Sequence, residues 1–155
     1  MQTVRLSKMA YAKRYDQIAA RLYRIALYLL GDAHQARRVM ASLFVEGFIA
    51  QQQTKFELAM FQTLWRLTKE SCPAVGDQYC QNLLNASRFD MKDSEYLRLL
   101  ELLGDLPLIE RAVLLLVVML GQSIENVALV LELPPEMLDS MHVSLCARVR
   151  KTIAA

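Results

Sequence analysis

Cysteine, histidine, glycine and proline are all scarce in this chain of 155 residues, which has three Cys, two His, five Gly and four Pro. Cys72, Cys80 and Cys146 show no CxxC spacing, and the two histidines lie far apart in the sequence. We therefore expect neither a disulfide framework nor a metal site. Long apolar runs are missing as well, because the longest, residues 112–120, is well short of the roughly 20 residues that cross a bilayer.

Sequence motifs of catalysis and of export are also missing. The chain has no glycine-rich phosphate loop, no paired-carboxylate motif and no Cys–His arrangement with a catalytic spacing. We therefore expect no enzyme, no cofactor and no small-molecule substrate. The first 17 residues are basic but contain no apolar core of the kind that secretory signals have, so we expect a cytoplasmic protein without membrane insertion.

What the chain does have is apolar residues, at 54%, and an uneven distribution of charge. Residues 1–72 carry eleven Lys and Arg against five Asp and Glu, a net charge of +6, whereas residues 73–155 carry seven against eleven, a net charge of −4. The first part is the one that long-range attraction would bring to nucleic acid. The alternative is that these charges belong to solvated faces of helices.

Capping residues divide the first part of the chain into three predicted helices, each with apolar residues spaced by three and four. The first runs from about Ser7 to Gly31, and the second starts at Asp32 with Gln35 as the partner of a capping box. Thr54 opens the third in the same way. The apolar stripe predicted for the second helix includes Ala36, Val39, Met40, Leu43, Phe44, Gly47 and Phe48.

Residues 73–93 are rich in turn-forming types and are predicted to link two helical units, with at most one short helix over residues 79–86. Further helices follow, one ending at Gly104, one over residues 108–120 and one over residues 124–131, capped by Ser123. Pro134 and Pro135 then make a turn before a last helix. The predicted fold is all-α, with a three-helix bundle over residues 1–72 and a helix-turn-helix unit over residues 94–155.

Two stretches of the sequence resemble bacterial sigma factors of the extracytoplasmic-function group. Residues 23–48, YRIALYLLGDAHQARRVMASLFVEGF, are similar to the first conserved region, with a helix, a Gly-Asp turn and a second helix with Phe near its end. Residues 106–150 are similar to the second, with the LP…R opening that ends at Arg111, and with Ser123 and Ala128. The resemblance implies a region 2-like bundle and a region 4-like helix-turn-helix.

The resemblance also implies RNA polymerase core and promoter DNA as partners. Its polymerase-docking positions are Arg37, Arg38 and Ala41, where the family has an acidic pair followed by Gln, so the sign of the charge is reversed. Exposed charges on an amphipathic helix are an ordinary alternative explanation. The family's positions for holding a single DNA strand correspond to Trp65, Arg66 and Lys69, although a Trp beside an apolar stripe is often a core residue.

The last helix would be the one that enters the major groove. Near its start, only Ser140, His142 and Ser144 offer hydrogen bonds to bases, and the positions that would face DNA include Glu136 and Asp139. Arg148, Arg150 and Lys151 follow near its end, where they would contact phosphate or simply complement the helix dipole.

Two functional hypotheses follow from these residues. The first is a sigma-factor-like protein that binds polymerase and promoter DNA through its helix-turn-helix. The second is a degenerate sigma mimic that binds an anti-sigma factor or another protein regulator, favoured by the acidic residues and by the adaptable methionine side chains.

Overall fold

The computed structural model describes residues 6–51, 55–86 and 94–154 of the chain. All regular structure within these ranges is helical, which confirms the predicted fold class. The α-helices found in the described ranges are α1 (Lys8–Leu30), α2 (Ala33–Ala50), α3 (Phe56–Lys69), α4 (Gly76–Ala86), α5 (Ser94–Asp105), α6 (Leu108–Leu114), α7 (Ile124–Leu131) and α8 (Pro135–Ala154).

The predicted caps of α1 and α2 are confirmed. The Ser7 hydroxyl accepts a hydrogen bond from the Ala10 N–H, and Gly31 ends α1 with a φ of +64°, in the left-handed region that favours glycine. The Asp32 carboxylate accepts from the backbone N–H groups that open α2. The Gln35 amide donates to this carboxylate and to the Cys72 carbonyl, so it also ties α2 to the end of α3. The Thr54 cap lies outside the described residues.

An aromatic cluster fills the space between α1, α2 and α3. The Tyr11 ring lies 5.2 Å from the Phe48 ring and 5.8 Å from the Phe56 ring, both edge to face. The Tyr11 hydroxyl donates to the Phe44 carbonyl at 2.8 Å. Phe44 itself is 41% exposed, so its predicted place in the buried stripe of α2 is wrong: its ring covers the two tyrosines from the outside.

The segment predicted to be a linker contains a packed helix. α4 begins at Gly76, three residues before the predicted start, and packs on α5, while residues 87–93 lie outside the described residues. Tyr79 of α4 is fully buried, and its hydroxyl donates to the Tyr28 carbonyl at 2.6 Å. α4 is therefore part of the core, since its aromatic side chain is held under the end of α1.

Arg111 is the largest side chain that is fully buried in the described residues, at 1% exposed. Its guanidinium donates to five backbone carbonyls and lies over the Tyr79 ring, with Cζ 4.4 Å from the ring centroid. Burial lowers the pKa of Arg111, but an arginine starts so high that it stays charged. The five acceptors are Leu29, Ala74, Leu103, Gly104 and Leu106.

The helices around Arg111 share one hydrophobic core that runs from α1 to α8. α3 packs on α7, and α1 touches α6, so residues of both predicted units meet in it. The bounds of the two units stay a prediction. None of the helices in the described ranges is long and apolar enough to cross a membrane.

The rear helices largely follow the predicted pattern. α6 continues into a wider, π-helical turn over Leu115–Met119, and Gly121 follows with a φ of +62°. The Ser123 hydroxyl accepts from the Asn126 N–H, which confirms the predicted cap, and α7 has the predicted bounds. α5 runs on through Gly104 to Asp105, so the predicted end is one residue early.

Replacing Arg111 by Met should lower the free energy of unfolding by about 3 kcal/mol, because Met keeps the apolar volume but leaves buried carbonyls without donors. Urea denaturation of both proteins measures the difference. Arg150→Met is the matched control at an exposed site and should change the value by less than about 0.5 kcal/mol. Equal urea midpoints for wild type and Arg111→Met would contradict this account of the core.

A second pair of variants tests the contact between α1 and α4. Gly31 and Gly121 have nearly the same positive φ, but a Cβ at Gly31 would overlap the Tyr79 ring, whereas a Cβ at Gly121 would meet nothing within 4 Å. Both Gly→Ala variants should lose about 1–2 kcal/mol from backbone strain, and Gly31→Ala about 1–3 kcal/mol more from the overlap. Thermal or urea unfolding measures the loss of stability in each variant. Equal losses for Gly31→Ala and Gly121→Ala would show that the Tyr79 ring does not lie against Gly31.

Candidate functional site

The turn between α7 and α8 places the last helix. Glu132 ends α7 in the left-handed conformation at a φ of +57°, and its N–H donates to the Ala128 carbonyl. The Leu133 N–H donates to the same carbonyl at 3.1 Å. Pro135 then opens α8, a position that suits proline because the first turn of a helix needs no N–H donor there. The predicted helix, short turn and helix are therefore present.

α8 has one buried side and one outer side. Leu138 and Leu145 are buried, and the helix packs on α5, α6 and α7. We define the outer face of α8 as the exposed residues from Glu136 to Arg150 that lie within about one sixth of a turn of Val143. These residues are Glu136, Asp139, Ser140, Val143, Ala147 and Arg150.

The first half of this outer face is acidic and apolar. Glu136 and Asp139 are exposed in the first two turns, where the helix dipole favours acidic side chains. Val143 is 67% exposed and the neighbouring Met137 is 52% exposed. No Lys or Arg precedes Arg148 in α8. This half of the helix therefore offers no cation for phosphate or for the bases of the major groove.

The predicted DNA-contacting residues of α8 are not all on one surface. Ser140 and Ser144 are exposed, whereas His142 is half-buried, with its Nε2 3.3 Å from the Cys146 Sγ. Arg150 and Lys151 are exposed. Arg148 lies 3.9 Å from the Glu110 carboxylate, an ion pair of surface type. Their role in binding DNA stays a prediction.

Trp65, Arg66 and Lys69 lie beside a groove of about 480 Å³ between α3 and α7, with Lys55 at its edge. Only 6% of Trp65 is exposed, and the Lys69 ammonium lies 5.7 Å from its ring centroid. Glu46 accepts from Arg66 at 2.7 Å, and Glu70 lies 3.6 Å from it. The three predicted residues are thus brought together, but the Trp face is covered and the Arg charge is already matched.

The predicted docking residues of α2 are all on its surface. Arg37, Arg38 and Ala41 are exposed, and so are Val45 and Ile49 further along the helix, at 61% and 67%. We define the outer face of α2 as five exposed residues that lie within about one third of a turn of one another around the helix axis. They are Arg38, Ala41, Ser42, Val45 and Ile49. The exposed apolar end of this face was not identified from the sequence, although the apolar residues of α2 cover more than one stripe of the helix.

Side chains of metal-binding type do not gather in the described part of the chain, where no group of three His, Cys, Asp or Glu could hold an ion. Comparison with models of known protein families and with curated proteins found no match for this chain. The arrangement of the helices and the chemistry of their outer faces are therefore the basis for any functional proposal.

Because Trp65 is the only tryptophan, its fluorescence tests whether α3 holds a splayed DNA strand. A buried ring should emit at shorter wavelength than free tryptophan, and adding a single-stranded oligonucleotide at low salt should leave its intensity unchanged. N-acetyltryptophanamide measured in parallel corrects for absorption by the DNA. Saturable quenching of the protein alone would show that the ring becomes available for base stacking.

Proposed function

We propose that this chain is a cytoplasmic, sigma-type protein of transcription initiation whose helix-turn-helix binds a protein regulator instead of promoter DNA. The observation that carries the proposal is the outer face of α8, which combines the acidic Glu136 and Asp139 with the exposed apolar Val143. Acidic side chains repel DNA phosphate, whereas exposed apolar groups beside charges are what a protein partner can bury.

The sigma-type part of the proposal rests on the order of the helices and on their caps. Support comes from the Gly31–Asp32 turn between α1 and α2 and from the short turn between α7 and α8, which belong to the two stretches that resemble the extracytoplasmic-function group. The resemblance makes an anti-sigma factor or another regulator the partner of first choice, with RNA polymerase core as the other protein that the chain would meet.

A sigma factor that binds promoter DNA directly is the second candidate. It is favoured by the net charge of +6 over residues 1–72 and by the basic side chains of Lys55, Arg66 and Lys69 at the groove between α3 and α7. Against this candidate, the Arg66 guanidinium already forms ion pairs with Glu46 and Glu70. The two candidates differ in whether DNA affinity is measurable.

The DNA test uses fluorescence anisotropy of labelled duplex and forked DNA at about 50 mM salt, with and without RNA polymerase core. We expect no binding of the wild-type chain to duplex DNA, because the start of α8 repels phosphate. A variant with Glu136→Lys and Asp139→Lys should gain weak affinity that falls steeply as salt is raised. Wild-type binding with a similarly steep salt dependence would favour the second candidate.

The partner test uses affinity purification of the full chain from its own host, with polymerase subunits and other proteins quantified separately. Val143→Glu should reduce recovery of the partner about tenfold or more, because it places a charge in the apolar part of the contact. Val118→Glu, at a similarly exposed valine outside α8, is the matched control and should leave recovery unchanged. If Val143→Glu recovers the same proteins in the same amounts as wild type, α8 is not the partner-binding surface.

A further inference from the structure

The outer face of α2 changes from basic to apolar along the helix. Arg38 lies seven residues before Val45, which is two helical turns or about 10.5 Å. Ile49 extends the apolar end, and Ala41 and Ser42, the two residues of this face between the charge and the valine, are small. The one acidic residue of α2, Glu46, is held by Arg66 from α3. The outer face of α2 therefore has a basic end without an acidic side chain of its own.

The part of the outer face of α8 that precedes Arg150 has the same layout with the opposite charge. Glu136 lies seven residues before Val143, the same two turns, and Asp139 adds a second negative charge within that span. Ser140 and Ala147 are the small residues of this face. An acidic end is thus followed by an exposed valine at the spacing that α2 shows.

The two faces complement each other when the helices lie parallel. Arg38 is then opposite Glu136 while Val45 is opposite Val143, because both pairs of residues have the same separation along their helices. Small residues between the charge and the valine on α2 allow the axes to approach to the roughly 8–10 Å of ordinary helix packing. One contact thereby matches opposite charges and buries two exposed valines.

We propose that this chain binds a second copy of itself, with the outer face of α8 in one copy packed on the outer face of α2 in the other. Within one chain, α2 packs on α1, α3 and α4 while α8 packs on α5, α6 and α7. The residues of both outer faces are exposed, and Arg38 and Ser42 lie at the edge of a groove that Glu70, at the C-terminal end of α3, also lines. The net charge is +6 over residues 1–72 and −4 over residues 73–155. Attraction between these opposite charges brings the second part of one copy, which contains α8, towards the first part of the other copy, which contains α2.

Such a contact uses different surfaces on the two copies, so the copy that supplies α8 keeps a free α2 face and the copy that supplies α2 keeps a free α8 face. The association then closes as a reciprocal dimer or a larger ring, or it continues as an open chain, depending on the rotation between copies. Single helix faces bury little area, which makes the association weak, and exposed charges make it sensitive to salt. The contact covers the same α8 face as the proposed regulator, so self-association would compete with that partner.

Sedimentation velocity of the full chain tests the proposal, at protein concentrations up to about 500 µM and at about 50 mM and 500 mM salt. The weight-average sedimentation coefficient of wild type should rise with concentration at low salt and much less at high salt. Arg38→Glu alone and Glu136→Arg alone should each weaken the association about tenfold. The combined variant, with Arg38→Glu and Glu136→Arg, should associate again, because the charges are exchanged and still opposite.

Two exposed charges outside these faces provide matched controls, Lys13→Glu on α1 and Glu125→Arg on α7. Both should behave as wild type. Mixing the two single variants of the faces should also restore association, since each supplies the face that the other lacks. A monomeric wild type at every concentration, a combined variant that stays dissociated, or controls that dissociate like the face variants would each overturn the proposal. None of these outcomes depends on whether a regulator or DNA binds α8.

Discussion

The structure depends on how the buried guanidinium of Arg111 is satisfied. A buried charge without compensation is strongly destabilising, and here backbone carbonyls take the place of a carboxylate. Leu29 lies at the C-terminal end of α1 and Leu103 at that of α5, where each helix dipole contributes about half a negative charge. Two helix ends together offset one cation. The Ala74 carbonyl and the Tyr79 ring also contact the guanidinium. Arg111 therefore connects four parts of the chain: α1, the segment between α3 and α4, α4 itself, and α5.

This connection also explains how much of the fold could be predicted from the sequence. Local signals were sufficient to predict the ends of several helices, because a capping residue acts on neighbours within one turn. The capping residues concerned are Ser7, Gly31, Asp32 and Ser123. Contacts between distant residues leave no such signal. The sequence places Arg111 in an apolar stretch but does not show that Leu29, 82 residues away, accepts from it. For the same reason α4 was predicted to be shorter and part of a linker, although Tyr79 fixes it in the core.

The candidate site shows the same difference between local signals, which the sequence reveals, and contacts between distant residues, which it does not. In α8, Leu138 and Leu145 are buried and Val143 is exposed, as the helical spacing of these residues in the sequence requires, because helix geometry alone determines the side on which a residue lies. Periodicity does not determine what a neighbouring helix covers. Phe44 was predicted to be buried but is partly exposed. Arg66 forms ion pairs with Glu46 and Glu70 that periodicity does not indicate, and its contact with DNA stays a prediction. The outer surfaces are therefore better described by the exposure and the ion pairs in the structure than by the periodicity of the sequence.

We propose above all that the outer face of α8 binds a protein and not DNA. A photo-cross-linking amino acid placed at Val143, in the full chain in its own host, tests this claim directly, because the position is exposed and reports only on what lies within a few ångströms. The account predicts an adduct that is degraded by protease and unchanged by nuclease. An adduct that is shortened by nuclease and carries promoter DNA would contradict it.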